Sequence, residues 1–154
     1  MHPAKKVPFR ELLKNLRQAE KNGLVRSKTN GDLTLWTCTE QTQYHKQWDD
    51  TTVCARGLIT NDERIVALPF PKFFNLSEHG PEWQCPEGQP SFFEKVDGSL
   101  GILYYYNGKW SCATKGSFDS DQAKWFQALV DQMDQRFLDE DVTYLVELVY
   151  PANK

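Results

Sequence analysis

Excess cationic charge, paired cysteines, histidines and long apolar runs are all scarce in this 154-residue chain, and each shortage narrows what it can be. Its 18 lysines and arginines are outnumbered by 21 aspartates and glutamates, a net charge of −3. The whole-chain field therefore does not favour nucleic acid, and any contact with a polyanion must use a local cationic surface. The four cysteines, Cys38, Cys54, Cys85 and Cys112, stand far apart without a C-x-x-C pair, which argues against a structural zinc site. With no export signal, they are expected as reduced thiols packed in the interior. The three histidines, His2, His45 and His79, make no triad or metal pattern and are expected at the surface. No apolar stretch approaches the roughly 20 residues that span a bilayer, and no apolar secretory region follows Met1–Pro8. An intracellular, cytoplasmic protein with no membrane role is expected. Internal repeats and low-complexity tracts are also lacking.

What is present is a globular balance of 40% hydrophobic, 13% aromatic and 25% charged residues, in a length that suits one domain or part of one. Phe9, Leu12, Leu13 and Leu16 recur at helical spacing between Val7 and Asn22, and Gly23 follows where a helix can end. The runs 24–26 and 33–39 flank Asn30-Gly31, a hairpin signal, and 53–59 and 64–69 flank the polar turn 60–63. Residues 75–90 carry prolines, glycines and charges without periodicity and read as a surface loop. Strands are predicted over 92–96, 100–106 and 109–114, with Asn107-Gly108 as a second hairpin turn. A helix is predicted over 121–138, its core stripe being Trp125, Leu129, Met133 and Phe137, and a last strand over 144–150. The fold class is therefore α+β, mainly antiparallel sheets with flanking helices.

The chemistry centres on Glu94-Lys95-Val96-Asp97-Gly98-Ser99-Leu100. A lysine amine, whose ordinary pKa is about 10.4, is protonated at neutral pH, so its use as a nucleophile needs desolvation or neighbouring cations. Lys95, at a strand end before Gly98, is read as suited to that, and Gly98 as letting phosphates approach the backbone. Taken alone, K-x-D-G also describes a solvated lysine beside a tight turn. Asp97 either orients the lysine loop or is ordinary turn chemistry. Glu147 interrupts an apolar strand, and reads either as a carboxylate partnered by a cation, a ribose hydroxyl or metal-bound water, or as an outward-facing residue. Arg56 and Lys72 taken singly are surface cations, and Phe74 packs in the core or stacks on a base.

Taken together and in order, these segments resemble the phage-type RNA ligase 1 family of covalent nucleotidyltransferases. Cys54-Ala55-Arg56-Gly57 resembles its A-R-G element, Pro71-Lys72-Phe73-Phe74-Asn75 its K-F-F-N element, and Lys95-Val96-Asp97-Gly98-Ser99 its adenylylated-lysine motif. Thr114-Lys115-Gly116-Ser117-Phe118 and Val146-Glu147-Leu148-Val149-Tyr150-Pro151-Ala152-Asn153 are similar to the segments that follow. The resemblance implies a nucleotidyltransferase (ATP-grasp-like ligase) domain. It implies Lys95 as the catalytic nucleophile, and Arg56, Lys72, Lys115 and Glu147 with it around the nucleotide. Phe74, Asp97 and Gly98 would be in support. ATP is implied as cosubstrate, Mg²⁺ as its partner ion with ligands not assigned, and RNA with 5′-phosphate and 3′-hydroxyl ends as the substrate to be sealed.

The family's later Glu-Gly and Lys-x-Lys elements do not occur in these 154 residues. The expectation is the N-terminal portion of a ligase domain, weak in sealing by itself and apt to associate with the missing downstream part. A nucleotide- or RNA-binding remnant without catalysis, and another lysine nucleotidyltransferase such as a DNA ligase or GTP-using capping enzyme, stand as the alternatives.

Overall fold

Helix α1 (Phe9–Lys21) forms because Leu12, Leu16 and Ala19 fall on one face at intervals of four and three residues and are all buried. It stops at Gly23, whose φ of +73° turns the chain left-handed. Gly23 N–H then donates to Glu20 O at 2.9 Å and Leu24 N–H to Ala19 O at 2.9 Å, satisfying the last carbonyls. Strands β1 (Val25–Asn30) and β2 (Leu33–Cys38) make an antiparallel hairpin across Gly31-Asp32. A short helix α2 (Glu40–Tyr44), not anticipated from periodicity, is capped by the Thr39 hydroxyl. Strands β3 (Arg56–Thr60) and β4 (Ile65–Ala67) complete a four-stranded sheet in the order β1-β2-β3-β4. Strands β5 (Ser99–Tyr106) and β6 (Lys109–Thr114) follow, then α3 (Asp121–Val130) and β7 (Tyr144–Leu148), giving a second sheet in the order β6-β5-β7. Every pairing is antiparallel. The structure, a computed structural model, describes residues 1–79, 81, 84 and 87–149.

Three clusters of buried side chains show the layering. Leu12, Leu16, Val25, Trp36 and Leu58 lie between α1 and the first sheet. Leu35, Ile59 and Ala67 meet Ile102, Tyr104 and Ala113 between the two sheets. Leu103, Cys112, Phe126 and Val130 join α3 to the outer face of the second sheet. The α+β expectation holds, and so do the hairpins. At the second one Asn107 and Gly108 both have positive φ, +51° and +80°, the geometry a two-residue turn needs to match strand twist.

Two predicted elements differ. Residues 92–96 form no strand; Phe92 and Phe93 are 90% and 88% exposed, so no partner surface rewards an extended pairing there. Helix α3 stops at Val130 rather than running to 138, and its buried face is Ala123, Phe126 and Val130, not the stripe through Leu129 and Met133. The difference follows from Gln127, which accepts from Cys112 N–H at 2.9 Å and donates to Trp110 O at 3.2 Å, fixing the helix rotation on β6. Beyond Val130, the Gln135 amide caps the Val130 carbonyl at 2.8 Å and Phe137 points into solvent.

Burial pushes the thiols of Cys54 and Cys112 up to about 12, with Asp50 and Asp131 adding to the effect, so both are inert packing residues. Cys38 is half-buried, and Cys85 lies outside the described residues. His45 is exposed as expected, whereas His2 is half-buried and structural. Its Nδ1 accepts from Ala4 N–H at 3.0 Å, which leaves Nε2 as the donor to Pro69 O at 3.0 Å. Burial is the main cause that lowers its pKa. Among the described residues no helix is long and apolar enough to cross a membrane.

The feature that positions the site is a β-bulge. Trp36 faces Leu58 and Thr37 faces Arg56, so Gly57 is an extra residue in β3, at φ +87°. A Cβ on Gly57 would lie 2.4 Å from Ile102 Cδ1 and 3.2 Å from Lys115 Cα. Gly57→Ala should therefore lower the unfolding free energy by about 2–4 kcal/mol, combining left-handed strain with overpacking. Gly31→Ala, at φ +60° with open space around it, should lower it by only about 1 kcal/mol. Urea unfolding of the two variants checks the difference.

Candidate active site

The bulge brings Arg56, at the start of β3, to the same opening as Lys115, just past the end of β6. The backbone of Lys115 passes so close to Gly57 that a methyl group there would touch it. Glu147 reaches the opening from β7, where it pairs across the sheet with Leu100 of β5. The result is a cleft of about 390 Å³ lined by Arg56, Gly98, Ser99, Lys115, Gln122 and Glu147, among others. A second hollow of about 260 Å³ shares Arg56, Leu100 and Glu147 with it, and is otherwise lined by Phe70, Phe73, Leu145 and Val146. The two are one depression with a cationic, glycine-edged half and an apolar half. The Arg56 guanidinium lies 4.8 Å from the centre of the Phe73 ring, at the line between them.

Gly98 lines the cleft, and its small size is also required by packing: a Cβ there would sit 2.3 Å from the Leu148 carbonyl oxygen, a space filled by the backbone of β7. Gly98 thus lets the lysine segment cross β7 directly beside Glu147. Glu147 itself is exposed, the outward-facing placement that the sequence left open, and the outward side of β7 at this position is the wall of the cleft.

Lys95 lies outside the lining of the cleft, three residues before Gly98 and near enough to Glu147 to feel its charge, with its side chain 84% exposed and paired to Asp97. Its pKa is raised, first by the hydrogen bond to Asp97, then by the charge of Asp97, with Glu147 close enough to contribute. The depressed pKa expected of Lys95 is thus absent in this state. The segment is solvated, and its neighbours are carboxylates rather than cations. Asp97 therefore acts directly on the lysine, beyond any role in the turn.

Lys72 and Phe74 are placed beside the depression rather than in its lining. Lys72 N–H donates to Val53 O at 2.8 Å, and its ammonium lies 4.3 Å from the Phe74 ring centre and 5.8 Å from that of Trp48. Phe74 also meets Trp48 edge-on at 5.8 Å. These contacts hold the 71–75 segment so that Phe73, one residue away, faces Arg56. Sequence reasoning missed Phe70, Phe73, Ser99 and Gln122. Phe73 stands in the same motif as Phe74, and nothing in two adjacent phenylalanines says that the more exposed one faces Arg56. Residues Tyr150–Asn153, the end of the last motif, lie outside the described residues.

The cleft joins two cations and, among the described residues that line it, one carboxylate to an apolar hollow, an arrangement complementary to an anionic group beside an apolar one. An RNA ligase family model, of the phage T4 RNA ligase 1 type, matches residues 54–153, and the chain belongs to that family. A relative in Autographa californica nuclear polyhedrosis virus, carrying the name of a putative bifunctional polynucleotide kinase/RNA ligase, is 39% identical over 74 residues. That match takes in 40% of this chain and 10% of the relative's length.

The Lys95–Asp97 pair makes a measurable prediction independent of any reaction. Because Asp97 raises the Lys95 pKa, Asp97→Asn should move it down toward its ordinary value, giving more free amine at a given pH. The pH profile of acetylation at Lys95, read by peptide mass spectrometry, should shift to lower pH in the variant. An unchanged profile would refute the assignment.

Proposed function

We propose that this chain carries the nucleotide-activating portion of an ATP-dependent RNA ligase, with Lys95 as the residue that becomes covalently adenylylated. The observation that carries the reading is the convergence of Arg56, Lys115 and Glu147 on one cleft beside the Lys95 segment. The cationic half suits a triphosphate, held by Arg56, Lys115 and the backbone around Gly116. The apolar half, floored by Leu100 and walled by Phe73, suits the adenine ring, which puts the ribose hydroxyls at Glu147.

In this mechanism the free amine of Lys95, having lost its proton to water, attacks the α-phosphorus of ATP. A phosphorus–nitrogen bond forms, the bond to the leaving oxygen breaks, and pyrophosphate departs with the electron pair. An oxygen of an RNA 5′-phosphate then attacks the same phosphorus and releases the lysine, leaving the RNA end capped by AMP. The 3′-hydroxyl of a second end attacks the 5′-phosphorus, AMP leaves, and the strands are joined. Arg56 and Lys115 neutralise charge in the first step and align the α-phosphorus with Lys95.

The donor set fits Mg²⁺ arriving with the nucleotide. Among the described residues no group of three or more histidine, cysteine or carboxylate side chains could cage a metal, and Mg²⁺ ordinarily uses one or two carboxylates plus substrate phosphates. With Glu147 at the ribose, the ion would be held by the phosphates of the nucleotide and would offset the triphosphate charge. The unpaired thiols of Cys54 and Cys112 suit a reducing compartment, and we place the reaction in the cytoplasm. A non-covalent nucleotide-binding module is the second reading, favoured by Lys95 standing outside the lining of the cleft.

The test is incubation with α-labelled ATP or GTP and Mg²⁺, followed by denaturing separation. Label from ATP that survives denaturation and disappears in Lys95→Ala supports the proposal. Label retained in Lys95→Ala, or label from GTP alone, would overturn it, and reversible binding without label would favour the second reading. Arg56→Ala should weaken ATP binding about 10- to 100-fold in titration calorimetry, the loss of a charge-assisted contact.

A further inference from the structure

The cationic wall of the cleft does not stop at Lys115. Strand β1 is the edge of the first sheet, and its residues alternate between the two faces. Val25 and Ser27 face α1: Val25 is buried against it, and Ser27 N–H donates to Glu20 of α1 at 3.0 Å. Arg26 and Lys28 take the other face, toward the second sheet. There the Arg26 guanidinium reaches the loop after β6, with Nη2 3.8 Å from the position a Cβ on Gly116 would take. The Lys28 ammonium lies 3.4 Å from Ser117 Oγ in the same loop. Arg56, Lys115, Arg26 and Lys28 therefore form a continuous row that begins in the cleft and leaves it along an edge strand.

The far end of that row opens into a depression of about 510 Å³ lined by Lys28, Asn30, Phe118 and Asp119, among others. Asp119 accepts from the Ser117 hydroxyl at 2.6 Å, which holds its carboxyl below the usual carboxylate range, with the charge of Lys28 adding to the effect; it therefore offsets part of the Lys28 charge, and the row keeps an excess of cations through Arg26. The Phe118 ring is half-buried and flanks the track. Arg26 and Lys28, two residues apart on a strand, are separated by about 6.7 Å, a spacing comparable to that of successive phosphates in an extended polynucleotide.

We propose that Arg26, Lys28 and Phe118 form the path of a single-stranded RNA segment leaving the nucleotide cleft, the two cations on successive phosphates and the ring against a base. The inference deepens the reading of the cleft as an RNA ligase site, since it names the surface that would hold the strand whose 5′-phosphate enters it. Charge complementarity and continuity with Arg56 and Lys115 select a polyanion. The flanking ring selects a single strand, because only an unpaired base offers its face for stacking.

The test uses the whole chain and a fluorescent single-stranded oligoribonucleotide carrying a 5′-phosphate, read by anisotropy across a salt series. Arg26→Ala/Lys28→Ala should bind roughly 10- to 100-fold more weakly, and lose about 1.4 from the slope of log K against log salt, two single-strand phosphate contacts. Lys14→Ala/Lys21→Ala, which removes the same charge from α1, should bind as the unaltered chain does. Labelling of Lys95 by ATP should be unchanged in Lys14→Ala/Lys21→Ala. Equal losses in the two double variants, no loss in the first, no binding by the unaltered chain, or equal affinity for a blunt RNA duplex would each overturn the proposal. Absence of ATP labelling in every protein, with RNA binding lost only in Arg26→Ala/Lys28→Ala, would refute the covalent reading of the cleft while leaving the RNA path standing.

Discussion

The approach of β3 to the backbone after β6, at Gly57, is the contact on which the rest depends. Two sheets packed face to face ordinarily keep about 10 Å between them, filled by interdigitating side chains. At Gly57 there is no side chain to fill that space, and Ile102 Cδ1 and Lys115 Cα occupy it instead. One consequence is steric: the loop carrying Lys115 and Gly116 is drawn onto the first sheet, within reach of Arg26 and Lys28 on its edge. The other is directional, since the bulge that accommodates Gly57 turns Arg56 into the opening between the sheets. Cations from β1, β3 and the β6 loop, remote in sequence, are thereby collected in a chain whose net charge is negative.

A second glycine has the matching role on the other wall. Gly98 lies against the Leu148 carbonyl, which fixes the lysine segment on β7 one residue from Glu147. The two walls are thus set by backbone packing, while the groups that face the ligand remain exposed or half-exposed. This division leaves the site residues replaceable with little effect on the fold, and makes the two glycines the positions where fold and site fail together.

Local signals make much of the fold legible in the sequence. Helix α1, both hairpins and the antiparallel character follow from periodicities of four and two and from Asn-Gly turns, and these are short-range effects. The rotation of helix α3 is not legible in this way, because Trp125, Leu129 and Met133 mimic a core stripe, whereas the face is chosen by Gln127 bonding to β6, a contact between residues 15 and 17 apart. The candidate site is legible as a set of motifs but not as a geometry. That Arg56, Lys115 and Glu147 share an opening requires the bulge and the sheet pairing, and the exchange of Phe74 for Phe73 at its wall depends on how Lys72 is held by Val53 and Trp48. Gly98 stands out in the sequence as a position where small size matters, and that size also serves strand packing.

The electrostatics of Lys95 connect these walls to chemistry. Beside Asp97 the ammonium is favoured, and a protonated lysine has no lone pair to offer. Deeper in the cleft Arg56 and Lys115 outnumber Glu147, which itself favours the protonated lysine, and the excess of like charge disfavours protonation. Movement of Lys95 into the cleft would therefore exchange a partner that holds the proton for neighbours that on balance expel it. The pairing that restrains it is exposed on both sides, 84% for each side chain, and a solvent-screened ion pair is a weak restraint. A bound triphosphate would complicate the balance, since its own negative charge raises the lysine pKa. On the proposed reading the cations lining the cleft would act twice, binding the phosphates and cancelling enough of their charge that the amine beside them could lose its proton. Removal of Arg56 or Lys115 would on this account impair activation of the nucleophile as well as affinity, and the two effects would separate in the pH dependence of adenylylation at saturating ATP.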